Sequence, residues 1–560
     1  MQPTGENMAD ASYDAIVIGG GHHATIISCY LAKAGLKVAV LEGHTALGGG
    51  AVSEEAPAPG FRQNPHAHFT RFYGHPAYAD FNLREEGLEY IFPEQNEGMI
   101  FEDGSSFIGY SGYRVVDPKT GRTEEAPDNV RKTYDQIKSF SQRDADSYLR
   151  LFEQYQKYWK KAFHKHRFTA PTPWREPDAL EALCDIPDSG IEPVHQFMSV
   201  RQCAYDYFES PELRTLFMRA TPTSGGCFPD DAMGLQSLVH VMGLVLSFEP
   251  AAIVKGGTQS ITDALVKAGK KLDVEYLTGH EVDQIIVENG AAIGVQLARG
   301  GSMRAPLVVS DLGVPQTFLR LLRNHPIGDK LLHRVRNIHY DRGQIFWGNV
   351  AMHELPKYTA DNVNPGVGSQ PRLYTGAKDP EYMASRYQHD IFLLGFPQQP
   401  YILTAPDSIW DRTRAPDGQH TILIEDFTAP ARLFSGRDWG RIKEEFTNRA
   451  LEEWRKYAPN MTKDNIIGTR IYGPYDVQAG KPDMIEGGWT EGSMFASQLG
   501  RFRPFPELSG FRTPVKNLYM CSSNLHSAGG IGRGSSYIAA KIISQDRGLP
   551  RFWESAGREF

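Results

Sequence analysis

An α/β fold, a wound parallel sheet interrupted by α+β insertions, is what this 560-residue sequence predicts. Three observations predict it. A strand–turn–helix–strand rhythm fills residues 13–42, strand rhythm returns at 253–310 after a long helical stretch, and a further strand, glycine turn and helix begin at 517. Segments of one kind at both ends and in the middle imply one sheet domain made of three chain pieces, 13–110, 250–330 and 480–560. The intervening pieces, 111–249 and 331–479, then form a second unit inserted into the first.

The first piece carries the most chemistry. Tyr13 to Ile18 is a short apolar strand that runs into Gly19-Gly20-Gly21-His22-His23-Ala24 and a helix, and Glu42 closes the next strand, Lys37 to Leu41. This is a Gly-x-Gly-x-x-Ala dinucleotide fingerprint in its full strand–helix–strand setting. Gly19 makes the tight turn, Gly21 lets backbone N–H groups approach a pyrophosphate at the helix N-terminus, and Ala24 is small enough for helix to pack on strand. Glu42 stands 21 residues past Gly21, where a carboxylate accepts hydrogen bonds from an adenosine ribose. Gly43 follows directly, and His22-His23 belong to the cofactor turn. A second cluster, Gly48-Gly49-Gly50, comes six residues past Glu42. So close a second glycine turn suits a cofactor stretched along the domain, with a ribityl chain beyond its pyrophosphate, which selects FAD over NAD.

Between residues 125 and 250 the rhythm becomes helical and aromatic, as in Tyr148-Leu149-Arg150-Leu151-Phe152, and Pro171, Pro173 and Pro177 split it into two blocks. Met233 to Leu246 is apolar but short and holds Gln236, Ser237 and His240, so it reads as a core helix or a cavity wall. Ile253 to Gly257 leads into a helix at Ile261 to Val266. Val282 to Val287 and Ala292 to Leu297 flank Asn289-Gly290, a hairpin signal, and Leu307 to Ser310 is another strand. Residues 335–475 mix strands, helices and Pro/Gly-rich loops. Asn517 to Cys521 is a strand, followed by Gly529-Gly530-Ile531-Gly532 and a helix from about Ser535.

Bulk properties exclude several classes. Apolar content of 41% with 22% charged residues is that of a globular protein. The net charge of −8, with no basic run, speaks against nucleic acid. Eighteen histidines show no metal-ligand spacing, so no metal is expected. Five scattered cysteines without a Cys-x-x-Cys read as reduced thiols, and a polar opening at 1–12 reads as no secretory signal, which together imply a cytoplasmic setting. No run reaches the ~18–20 apolar residues of a spanning helix. Peripheral membrane contact and oligomeric state stay open.

Five pieces of the chain together resemble the phytoene-desaturase-like FAD oxidoreductases, a family that includes carotenoid desaturases, retinol saturase and the pyridine nucleotide-disulfide oxidoreductase domain 2 proteins. They are Tyr13 to Ala24 with Glu42 and Gly48-Gly49; Ala58-Pro59-Gly60-Phe61-Arg62; Ser141 to Tyr148; Gly256-Gly257 through Leu265 with Val282 and Asn289-Gly290; and Leu518 to His526 ending in Gly529-Gly530. The resemblance implies a Rossmann-like FAD-binding domain of glutathione-reductase/amine-oxidase type, discontinuous, with an inserted α+β substrate domain. It implies that Val282 offers backbone hydrogen bonds to the adenine, and that Ser522 to Ile531, Gly530 included, passes under the ribityl chain and the pyrimidine edge of the flavin. The chain departs from the family at Cys521-Ser522, at Ser527-Ala528-Gly529-Gly530, at Ile531-Gly532-Arg533-Gly534 and at Gln63 to His68, which counts against a carotenoid substrate.

A flavin accepts hydride at N5, so the protein must hold a C–H bond over the ring and handle a released proton. His66 and His68, two apart on an extended segment, are the candidate acid–base groups, and Arg71 is a candidate anchor for a carboxylate or carbonyl. His526 is the candidate donor or positive group at the edge of the reduced flavin, with Arg533 as a second. One fingerprint and no second one for NAD(P)H imply that electrons leave to oxygen, a quinone or a carrier protein. The expected activity is an FAD-dependent dehydrogenase or desaturase that introduces a C=C bond into a largely apolar isoprenoid or cyclic molecule, oxygenated or not. A saturase or isomerase on the same cofactor is the alternative, and a non-catalytic lipid-binding chaperone the third.

Overall fold

The computed structural model describes residues 13–340, 343–556 and 558. The polar opening 1–12, expected to hold no secretory signal, lies outside the described residues.

Two sheets organise the chain. The smaller has five parallel strands in the order Glu275–Thr278, Val38–Glu42, Ala15–Ile18, Val308–Ser310, Leu518–Met520. Its strands come from three distant stretches of chain, as the recurrence of strand rhythm predicts. Ala15 to Leu41 is buried along both strands because helices cover both faces, and a parallel sheet so covered needs apolar runs rather than alternation. The helices His22–Lys33, Gln259–Lys270 and Ser535–Arg547 pack there, with Ile26, Leu265 and Ile543 among the buried contacts. The Asn289-Gly290 turn joins Val282–Glu288 to Ala291–Leu297, with φ of 51° and 75° at its two residues, the left-handed pair that a tight hairpin requires.

The larger sheet has seven strands in the order Ile466–Tyr472, Gln344–Met352, His420–Thr428, Ile402–Ala405, Arg372–Gly376, Gln95–Phe101, Ser106–Tyr110. All pairs are antiparallel except Arg372–Gly376 with Gln95–Phe101. The strands at 95–110 thus belong to this sheet, although a boundary after residue 110 groups them with the dinucleotide unit. Nothing in their local pattern names the partner strand, which lies some 270 residues on. One face packs on the long helix Gly436–Tyr457 through Phe346, Trp439 and Trp454. The other meets the helical block Gln142–Phe168 and the helices Pro211–Gly225 and Gly234–Val245 through Tyr374, Leu403 and Met242. Cross-strand register sets Trp347, Glu425, Leu403 and Tyr374 in one row on this second face. Among the described residues no helix is long and apolar enough to cross a membrane.

Candidate active site

A cavity of about 1220 Å³ opens between the two sheets, larger than the roughly 300–1,000 Å³ of a site for one small molecule. Its floor is the carboxyl edge of the parallel sheet, where the chain leaves four of the five strands near Gly19, Glu42, Asp311 and Ser523. This is where doubly wound sheets place their ligands.

The two glycine turns meet. Gly21 and Gly48 form a parallel backbone bridge, and the Gly48 N–H donates to the Gly20 carbonyl at 2.8 Å. A Cβ at Gly49 would stand 3.0 Å from Gly21 Cα, and one at Gly20 would stand 2.8 Å from Glu42 Oε2. Side chains are therefore absent where a ligand has to touch backbone. The Glu42 carboxylate accepts from the N–H groups of Gly20 and His44, both at 2.7 Å, and so is fixed at the cavity rim before any ligand arrives. Gly19, Gly21, His22, Gly43, Gly49, Gly50 and Val282 line the same end. Ala24 and Gly48 stand behind that lining. These features fit the adenosine and pyrophosphate portions of a dinucleotide.

Asp311 is a floor residue that the motif alone does not name. Its carboxyl accepts from the Ala24 N–H at 3.1 Å, and it lies so close that a Cβ at Gly21 would stand 2.6 Å from its Oδ2. Burial, with Asp483 and Glu42 nearby, pushes this carboxyl well above the ordinary range. Burial likewise pushes Glu491 well up and Asp483 to about 6. Burial thus disfavours the charged forms of Asp311 and Glu491, which lessens their repulsion of a phosphate.

The segment 66–71 passes along the opposite wall, where His66, His68 and Arg71 all line the cavity. His68 is fully engaged. Its Nε2 lies 2.7 Å from Asp407 Oδ1, and its Nδ1 meets Asn64 Nδ2 at 3.3 Å. Asn64 Oδ1 accepts from Ser53, from the Thr258 N–H and from Arg414, so the amide nitrogen faces the imidazole as donor. Both ring nitrogens of His68 thus have protein partners, Asp407 on one and Asn64 on the other, which brace the ring on this wall. An Asp407→Asn protein is expected to lose about 1–3 kcal/mol of stability at neutral pH, as a charge-assisted hydrogen bond is weakened. Despite burial, His68 and Arg414 hold the Asp407 carboxyl below its ordinary range. Its contribution is therefore present above the unfolded carboxyl's pKa and fades as pH falls through the lower folded value, and unfolding midpoints of both proteins across pH 3–7 check this.

His66 differs. Among the described residues it has no hydrogen-bond partner, and its Nδ1 is buried. Burial, then the nearby Lys481, lower its pKa to about 4, so the ring is neutral at physiological pH. Arg71 donates from Nε to the Pro250 carbonyl at 2.9 Å and presents the rest of its guanidinium to the cavity.

The C-terminal turn supplies the last wall. Gly530, Ile531 and Arg533 line the cavity, while Ser522 and His526 lie beneath it. His526 Nε2 donates to the His166 carbonyl at 2.8 Å, and burial, then His166, depress its pKa to about 3. It is uncharged and off the cavity surface, whereas Arg533 and Arg167 line the cavity beside this turn. Phe163, Leu244, Ile345 and Trp347 of the inserted unit, with Phe69 and Met494, form the remaining walls, together with the buried ion pairs Arg372–Glu97 (2.9 Å) and Arg219–Glu425 (3.4 Å). Sequence reasoning named neither these pairs nor His240 and Arg167 as site residues. Asp311 was open to detection, because it directly follows a parallel strand.

Comparison with known proteins follows the same lines. Residues 17–81 match the description of an NAD(P)-binding Rossmann-like domain. Over 96% of each chain the protein is 25% identical to a polypeptide of the limonene dehydrogenase of Castellaniella defragrans. It is also 25% identical to the rat pyridine nucleotide-disulfide oxidoreductase domain-containing protein 2, over 95% of this chain and 94% of that one, and 24% identical to a phytoene desaturase of Fusarium fujikuroi, over 96% and 90%. Among solved structures, an oxidoreductase from Methanosarcina mazei superposes with a TM-score of 0.57 over 95% of this chain and 99% of that one, at 16% identity. Cyclohexylamine oxidase of Brevibacterium oxydans gives 0.55 over 98% and 100%, also at 16% identity. These superpositions establish a shared fold.

Proposed function

For a chain that belongs to the phytoene-desaturase-like FAD-dependent oxidoreductases, we propose a dehydrogenase that introduces a C=C bond into a largely apolar small molecule. The observation that carries the reading is the continuous cavity joining both glycine turns, the C-terminal turn and the 66–71 segment, with volume for an extended cofactor and a substrate together.

In this reading Glu42 takes the ribose hydroxyls, the backbone at Gly21, Gly49 and Gly50 takes the pyrophosphate, and Val282 takes the adenine. Gly530 and Ile531 flank the ring end. Bound FAD supplies a hydride acceptor. The chain's own work is to orient the substrate and to deal with its proton. Phe69, Phe163, Leu244, Trp347 and Met494 exclude water and grip an apolar frame, at about 0.8 kcal/mol for each buried CH₂. His66, neutral and without a hydrogen-bond partner among the described residues, receives the proton released from the carbon next to the one that loses hydride. Held weakly, that proton passes on toward the solvent side of the cavity. The acceptor of the electrons would be oxygen, a quinone or a carrier protein.

Two measurements test this. Under argon, a true substrate is expected to bleach the flavin's visible band and to yield a product lighter by two hydrogens. An unchanged spectrum accompanied by a product of unchanged mass indicates an isomerase, and a protein that binds no flavin indicates a carrier. Replacing His66 by Ala is expected to lower kcat about 10²–10⁴-fold with little change in KM. Because burial keeps His66 deprotonated down to about pH 4, the wild-type rate is expected to stay level from pH 8 to 6 and to fall only toward pH 4.

A further inference from the structure

We propose that the lobe of the cavity beyond the C-terminal turn is a subsite for an anion, so that the substrate carries a carboxylate on its apolar frame. The proposal rests on the dehydrogenase reading above and narrows its substrate class.

Three arginines from distant parts of the chain meet around Gly532 and His240. The Gly532 backbone lies against Arg71, where an added Cβ would stand 3.6 Å from the Arg71 carbonyl carbon. Its carbonyl accepts from Arg167 Nη2 at 2.5 Å, and Arg533 follows it directly. All three arginines line the cavity, and His240 faces them from the helix Gly234–Val245. After burial itself, Arg533, Arg167 and Arg71 are the groups that depress the His240 imidazole.

Counter-charge is scarce here. Glu249 is the carboxylate among the lining residues of this lobe not already paired with an arginine. It accepts from the Tyr155 hydroxyl at 2.7 Å and lies 3.7 Å from Lys160. Glu97 is matched to Arg372, and Glu425 to Arg219. Against Arg71, Arg167, Arg533 and Lys160 there stands one acid. Arg533 is the extreme case: 8% exposed, with Nη1 buried and without a hydrogen-bond partner among the described residues. The charged neighbours that act on it are two further arginines, and with burial they lower it to about 9.

A buried guanidinium without an acceptor is costly, and the cost is recovered where a ligand brings the charge. A carboxylate matches the planar fork of donors, whereas a hydrocarbon would leave the buried Nη1 of Arg533 without an acceptor. Phe163 and Leu244 border the same lobe, which suits an acidic group borne on an apolar frame.

The test uses the flavin-loaded full-length protein and three probes of one chain length: decanoate, decanol and methyl decanoate. Affinities are read by calorimetry and by perturbation of the flavin spectrum. Decanoate is expected to bind about ten- to hundredfold more tightly than either neutral probe. Arg533→Met is expected to erase most of that preference while leaving decanol affinity unchanged, and Arg533→Lys to keep part of it. Removal of an unpaired buried charge is expected to leave the thermal midpoint equal or higher, so the variant remains a folded test. Equal affinity for acid and ester in the wild type overturns the proposal. So does an Arg533→Met protein that keeps the preference but shifts the flavin's reduction potential, since the cation would then serve the cofactor alone. Failure of the dehydrogenase reading is separately visible as a protein that takes up no FAD; calorimetry with decanoate still decides the subsite in that protein.

Discussion

A Gly21→Val protein is expected to purify colourless. The new Cβ would enter within 2.6 Å of Asp311 Oδ2, and the valine methyl groups would fill the cleft between Gly21 and Gly49, where even a Cβ on Gly49 would stand 3.0 Å from Gly21 Cα. Backbone N–H groups at this turn then lose their approach to a pyrophosphate. Each charge-assisted hydrogen bond forfeited costs about 1.5–3 kcal/mol, so the loss of two weakens FAD binding by roughly 10²–10⁴-fold. The flavin-to-protein absorbance ratio after purification, followed by titration of the apoprotein with FAD, checks this. A yellow variant with wild-type flavin content would show that the cofactor does not rest on the fingerprint turn.

The largest effect on stability is expected from Asp426→Ala. Asp426 and Arg386 are both fully buried, and the carboxylate accepts from Arg386 Nη1 at 3.1 Å and from Nη2 at 2.9 Å. The same carboxylate accepts from the backbone N–H groups of Tyr401 and Phe427, both at 2.8 Å, and Arg219 stands 3.8 Å away. Truncation leaves the guanidinium of Arg386 in the core of the larger sheet with its counter-ion gone, at a cost of about 3–5 kcal/mol. Thermal and denaturant unfolding measure it. A double variant, Arg386→Met with Asp426→Leu, is expected to recover much of the loss, because the charge is then removed rather than stranded.

Local signals carried the cofactor end of the molecule into the sequence, and long-range geometry withheld the rest. The turn at Gly19 to Ala24 and the acid at Glu42 are legible because fingerprint chemistry fixes their spacing within some twenty residues. The hairpin at Asn289-Gly290 is legible because two left-handed residues in succession select those types. Asp407, by contrast, reaches His68 across more than 300 residues, and no spacing rule announces that a histidine on a cavity wall will be held at both nitrogens. His526 misled for a similar reason: its place in a glycine-rich segment suggested the cavity edge, whereas the turn carries its ring inward to the His166 carbonyl. The excess of arginines was invisible because net charge sums over the whole surface, while Arg71, Arg167 and Arg533 meet only after folding.

The parallel sheet is completed by a strand that begins at residue 518 and joins the one at Val308–Ser310. Synthesis from the amino terminus therefore leaves the fingerprint strand waiting for a neighbour nearly 300 residues downstream, and that neighbour waiting for another 200. Until residues 518–520 are in place, the strand at Val308–Ser310 has an unprotected hydrogen-bonding edge of the kind that invites self-association. On the proposed reading flavin uptake follows the pairing of this strand, and fragments truncated before residue 518 are expected to remain apoproteins, as their flavin absorbance after purification would show.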